Sequence, residues 1–119
     1  MMSFDKNNPL HIYMREIGSI KPLTKSEEES LSRHVLAHDD EAESAGRRLV
    51  EAHLKLVVSI AERHFSAGVD ELDLIRKGND GLQQALSTFS GNSQGSFSGY
   101  AAICIEAAIA KAALESGSR

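Results

Sequence analysis

Apolar residues recur at three- and four-residue spacings along most of the chain, the period of an amphipathic helix rather than the alternation of a strand. The run Leu49, Val50, Leu54, Val57, Val58 and Ala61 predicts one long helix from about Asp39 or Asp40 to His64. Gly46 weakens its middle by about 1 kcal/mol relative to alanine. Leu72, Leu74, Ile75, Leu82, Leu86 and Phe89 form the buried side of the next helix, with Asp70 as its cap and Asp73 at the third position. Upstream, Pro9 suits a first helical position with Asn8 as cap, and that helix ends near Gly18. Thr24-Lys25-Ser26-Glu27 is a capping-box pattern that starts a second helix, whose apolar stripe is Leu31, Val35 and Leu36. The polar, glycine-rich stretch from Ser90 to Ser96 is a loop and the most mobile internal segment. A final helix from about Phe97 to Leu114 carries Ile103, Ile105, Ile109 and many alanines around most of its circumference, so more than one face should be occluded.

Both prolines, Pro9 and Pro22, lie in the first fifth of the chain, and the 97 residues after them hold no obligatory helix breaker. The fold class is all-α, about five helices. A chain of 119 residues, 41% hydrophobic and 25% charged, fits one globular domain with a single modest core. No apolar stretch approaches the roughly 18 residues of a spanning helix. The opening Met1-Met2-Ser3-Phe4 segment lacks the apolar run of a secretory signal, so the expectation is a cytoplasmic protein with no membrane partner. The single Cys104 provides neither a disulfide nor a zinc cluster. A net charge of −4, from 13 basic and 17 acidic residues, argues against naked nucleic acid as the main partner.

Three blocks then narrow the field: Ile12-Tyr13-Met14-Arg15-Glu16-Ile17-Gly18-Ser19-Ile20, the run from Leu49 to Ala61, and Asp73-Leu74-Ile75-Arg76-Lys77-Gly78-Asn79-Asp80-Gly81-Leu82. In order and spacing they resemble regions 1.2, 2.1 and 2.2 of bacterial primary-type sigma factors, the sigma-70 family. Phe97-Ser98-Gly99-Tyr100-Ala101 is similar to that family's Phe-Ser-Thr-Tyr-Ala signature in region 2.3. The resemblance covers roughly Pro9 to Leu114. It implies a region 1.2-like helical segment over residues 1–38 and a region 2-like helical bundle over 39–119. It further implies docking on the clamp helices of core RNA polymerase and contact with the promoter −10 element.

Carried over position by position, the resemblance places the polymerase-docking surface at Asp73, Arg76, Lys77, Asn79 and Gln83, and the DNA contacts at Phe97, Tyr100 and Lys111. Arg76 and Lys77 stand where the family has Gln and Glu, which reverses the sign of an interfacial contact. Ile103 and Cys104 stand in place of paired tryptophans, Glu106 in place of an arginine and Ala107 in place of a base-reading glutamine. From Ser90 to Arg119 the cations Lys111 and Arg119 are balanced by Glu106 and Glu115. Phosphate binding needs net cations, so promoter DNA is a weak partner or one engaged only within holoenzyme.

Other chemistry has little support. His34 and His38 have the i, i+4 spacing of a helical metal pair, but no third ligand follows from spacing. His53, where the family usually has Asn, reads as a structural substitution, and Cys104 as a buried small residue. No catalytic constellation, metal site or cofactor is implied, so the protein is expected not to be an enzyme. Three functions compete: a sigma-like initiation protein that docks on core polymerase; a degenerate sigma-like regulator binding polymerase or an anti-sigma factor without melting promoters; and a helical self-association module built on Ala101, Ala102, Ala107, Ala108, Ala110, Ala112 and Ala113.

Overall fold

The computed structural model describes residues 8–92 and 95–117. The opening Met1–Asn7 stretch, Ser93 and Gln94 in the loop expected to be mobile, and Ser118 and Arg119 lie outside the described residues. Among those described there are six helices and no strand: α1 Pro9–Gly18, α2 Lys25–Ala37, α3 Ala42–Ala52, α4 Leu54–Glu62, α5 Glu71–Thr88 and α6 Phe97–Gly117.

Local chemistry sets most helix starts. The Asn8 side chain accepts from the Leu10 amide at 2.8 Å, with Pro9 just inside the helix. At α2 the Thr24 hydroxyl accepts from the Glu27 amide at 3.1 Å and the Glu27 carboxylate from the Thr24 amide at 2.9 Å, completing the capping box. That reciprocal bonding holds the Glu27 carboxyl below the usual carboxylate range. Asp70 caps α5 by accepting from the Asp73 amide at 3.2 Å. The Ser96 hydroxyl accepts from the Gly99 amide at 3.1 Å at the head of α6.

Two sequence expectations change at the helix bounds. The long helix expected from Asp39 or Asp40 to His64 is two helices, broken at His53. There the His53 ring donates from Nδ1 to the Leu49 carbonyl at 2.6 Å, occupying the acceptor that a continuous helix would offer to the His53 amide. That amide instead bonds the Val50 carbonyl at 3.0 Å. The final helix continues past Leu114 to Gly117.

Helices α5 and α6 pack along one another, α4 lies against both, α1 sits on α4, and α2 packs on α3 and reaches the start of α6. Leu49, Val57, Leu74, Leu82, Phe97, Ile105 and Ile109 are the largest fully buried side chains. The α5–α6 seam is close because two α5 positions lack a side chain. A Cβ on Gly78 would fall 2.7 Å from side-chain atoms of Ile109 and Val57, and one on Gly81 would fall 2.8 Å from the Cys104 carbonyl oxygen.

As expected, more than one side of α6 is occluded, by α5 and by α4, but its outer side stays open. Ile103 is 69% and Leu114 76% exposed, because no helix among the described residues covers that side. Phe97–Ser116 is also long and apolar enough, by length and composition alone, to cross a membrane, contrary to the sequence expectation that no stretch came near that length. Alanine supplies much of that apolarity, and the inner face packs on α5 as a core helix does.

Candidate docking and nucleic-acid interface

The five residues expected to dock on polymerase all lie on α5 but point in two directions. Arg76, Lys77 and Gln83 are exposed on the outer side, with Asp73 at their edge. Arg76 approaches the Asp73 carboxylate at 3.6 Å, an exposed i, i+3 pair of little energetic weight. Asn79 instead turns toward α1, donating from Nδ2 to the Tyr13 hydroxyl at 3.4 Å. Its Oδ1 is buried without a hydrogen-bond partner. Tyr13, Leu72, Ile75, Arg76 and Asn79 line a cleft of about 200 Å³ there. Residues from the first and fifth helices thus share one surface.

The three expected DNA contacts separate. Phe97 is 1% exposed, wedged edge-on between the His53 ring at 5.2 Å and the Phe89 ring at 5.5 Å. Its ring presents no face on which a base could stack in this conformation. Tyr100 is half-buried and lies tilted against Phe89 at 5.9 Å. The Thr88 hydroxyl donates to the Gln84 carbonyl at 2.8 Å, so the Tyr100 hydroxyl is the donor in its 2.6 Å bond to Thr88. Tyr100 and the exposed Lys111 line one groove of about 410 Å³, together with Ile103, Cys104, Ala107 and Ala108. Lys111 also borders a groove of about 270 Å³ that contains Lys77, so the two sets of candidate residues meet across the α5–α6 hairpin.

The carboxylate on this side has local partners. Glu106 accepts from His64 Nε2 at 3.0 Å, and its second oxygen stands 3.8 Å from Arg63, an ion-pair distance but too long for a hydrogen bond. The Arg63 and His64 partners at the end of α4 were not legible from spacing, being over 40 residues away in the chain. The histidine pair on α2 also resolves differently from a metal site. His34 places Nδ1 2.7 Å from Asp39 and Nε2 3.4 Å from Glu41, while His38 closes the helix in a left-handed conformation at φ 53°. Among the described residues no group of three metal-ligating side chains occurs.

One polar cluster escaped sequence reasoning. Glu28 of α2, Ser98 of α6 and the buried His53 at the α3–α4 break converge in a partly buried cluster. The Ser98 hydroxyl lies 2.7 Å from His53 Nε2 and hydrogen-bonds Glu28 Oε1, while the Ser98 amide donates to Glu28 Oε2 at 3.1 Å. These are the residue types of a hydrolytic triad, but the geometry differs. The carboxylate contacts the serine itself, and His53 Nδ1 is taken by a backbone carbonyl, so no acid orients the far side of the ring.

The described residues form an all-helical domain whose exposed candidates, Arg76, Lys77, Gln83 and Lys111, lie on the surfaces of α5 and α6. Residues 8–41 match the model of sigma-70 factor region 1.2, and residues 49–117 match sigma-70 region 2. The chain belongs to the sigma-70 family. It is 44% identical over 106 residues to the RNA polymerase sigma factor SigA of Listeria monocytogenes and to that of Listeria innocua. It is 42% identical over 106 residues to the SigA of a Bacillus species. These alignments cover 89% of this chain but 27–28% of each relative, so the chain spans little more than a quarter of their length.

Proposed function

We propose that this chain is a sigma-like transcription protein that docks on the clamp helices of core RNA polymerase through the outer face of α5, in the cytoplasm, and acts by binding rather than by catalysis. Arg76, Lys77 and Gln83 make the outer contacts, with Asp73 and Asn79 at the edge toward α1. The carrying observation is that Arg76, Lys77 and Gln83 on α5 face solvent, Arg76 holding only an exposed pair with Asp73, while Phe97 and Tyr100 on the DNA side are engaged within the fold. Phe97 is a core ring, the Tyr100 hydroxyl is held by Thr88, and Glu106 occupies a position that phosphate binding would need cationic. Promoter contact is therefore limited to Tyr100 and Lys111 and is weak outside holoenzyme. The residues favour a regulator that keeps protein docking, on polymerase or an anti-sigma factor, over one that melts promoters unaided.

The test measures binding of the full chain to core polymerase and, separately, to single-stranded −10 non-template DNA. Arg76→Gln with Lys77→Glu restores the residues the family carries at these positions, so polymerase binding is expected to change at least tenfold, with DNA binding weak throughout. Unchanged polymerase binding removes α5 from the docking surface. Tight DNA binding that is lost in Tyr100→Ala with Lys111→Ala overturns the regulator reading.

A second reading, self-association through α6, is favoured by the exposure of Ile103 and Leu114 on one side of an alanine-rich helix. It predicts a dimer that persists on dilution in sedimentation equilibrium and is dissolved by Ile103→Lys. A monomer at all concentrations removes it.

A further inference from the structure

We infer that Glu28, Ser98 and His53 form a binding site for a single proton that fastens α2 to the first turn of α6. The inference comes from counting hydrogens. His53 Nδ1 faces the Leu49 carbonyl at 2.6 Å. A carbonyl only accepts, so Nδ1 carries a hydrogen. The Ser98 hydroxyl has one hydrogen and two partners, His53 Nε2 at 2.7 Å and Glu28 Oε1. If serine donates to the carboxylate, Nε2 must donate to serine and the ring is an imidazolium. If serine donates to Nε2, the carboxyl must donate to serine and is protonated. Either arrangement holds one proton more than a neutral imidazole beside a carboxylate. Without that proton, two lone pairs face each other across one of the contacts.

The surroundings make that proton matter. The His53 side chain is 7% and the Glu28 side chain 17% exposed, so water replaces a lost partner poorly. Around the His53 ring, α2 contributes Glu28, with Oε1 3.5 Å from Nε2; α3 contributes the Leu49 carbonyl; and α6 contributes Ser98 and the edge-on Phe97 ring. Glu29 and Arg33, the nearer charged groups of α2, line an adjoining cleft of about 240 Å³ that also borders Glu28 and Phe97, giving the proton a route to solvent. The connection between α2 and α6 is complete on the acid side and loses a hydrogen as pH rises. It positions the start of α6, and with it Tyr100.

The test uses the full chain and follows the Ser98 amide protection factor by NMR from pH 5.5 to 8.5. In the wild type, protection corrected for intrinsic exchange falls as pH rises, with a limiting slope of tenfold per pH unit for one proton. Glu28→Gln replaces the missing proton with a permanent N–H donor to Ser98, so its protection stays within twofold across the range and exceeds the wild type at pH 8.5. His53→Asn, a second variant with a donor that does not titrate, is flat in the same way. Histidine ¹⁵N and Glu28 carboxyl ¹³C shifts identify which group holds the proton. A wild-type profile that coincides with that of Glu28→Gln, or an ionised Glu28 beside a neutral His53 with the Ser98 amide fully protected, overturns the inference.

Discussion

The two sides of α6 have nearly the same composition and opposite fates. Inward, Phe97, Ala101, Ile105 and Ile109 are at most 1% exposed, fitted against α5 where Gly78 and Gly81 let the backbones approach. Outward, Ile103 and Leu114 stand mostly in solvent, and Tyr100, Ala107 and Lys111 border an open groove. Isoleucine and alanine occur on both sides. What differs is whether another helix arrives, and apolar side chains release their transfer free energy only where one does. The inner side is therefore the stability of the domain, and the outer side is surface available to a partner.

Mutations should separate these sides sharply. Phe97→Ala, deep on the inner side, is expected to cost about 3–5 kcal/mol in denaturant unfolding; a loss under 1 kcal/mol would mean the ring is not the core residue described. Gly81→Val forces a side chain against the Cys104 carbonyl, which cannot rotate away, and should cost about 3 kcal/mol despite valine's better helix propensity. Tyr100→Phe removes the hydroxyl bond to Thr88 at the border between the two sides and should cost about 1 kcal/mol or less. Ile103→Ala, six residues from Phe97, should change stability by less than about 0.5 kcal/mol. A larger loss would show that the outer face is covered in solution, as the self-association reading requires.

The smallest expected effect lies far from α6. The hydrogen bond to Asp39 raises the His34 pKa, and the same contact lowers that of Asp39. The His34 contribution is full below its unfolded value and is lost as pH rises through the raised folded one. The Asp39 contribution is present above its unfolded value and is lost as pH falls through the depressed one. The pair thus supports the end of α2 most between those limits, and only slightly, since both groups are solvent-exposed. In an NMR titration, Asp39→Asn should move the His34 midpoint to lower pH. No movement would place the interaction outside solution behaviour.

Much of the helical framework was legible locally. The capping box at Thr24, the Asp70 cap and the proline at the start of α1 act within four residues, so their sequence signals are their mechanisms. The break at His53 was not legible, because a histidine inside an apolar period looks like any helical residue until its ring takes the Leu49 carbonyl. Arg76, Lys77 and Gln83 could be placed on an exposed side from period alone. Asn79 could not be set against Tyr13, 66 residues earlier, by any rule of spacing. Phe97 and Tyr100 shared a motif and a helix turn, yet only packing against Phe89 and His53 put one inside and left the other at the border.

The sequence by itself determined an all-helical chain, the starts of α1, α2, α5 and α6 and its family, since these follow from neighbouring residues and from the order of its motifs. Only the tertiary structure decided which side of α6 is core, that Glu106 meets Arg63 and His64 at the end of α4, and that Glu28, Ser98 and His53 share one hydrogen-bonded cluster. Burial and proton sharing depend on distances between residues up to 70 positions apart, and those distances come into being when the helices pack.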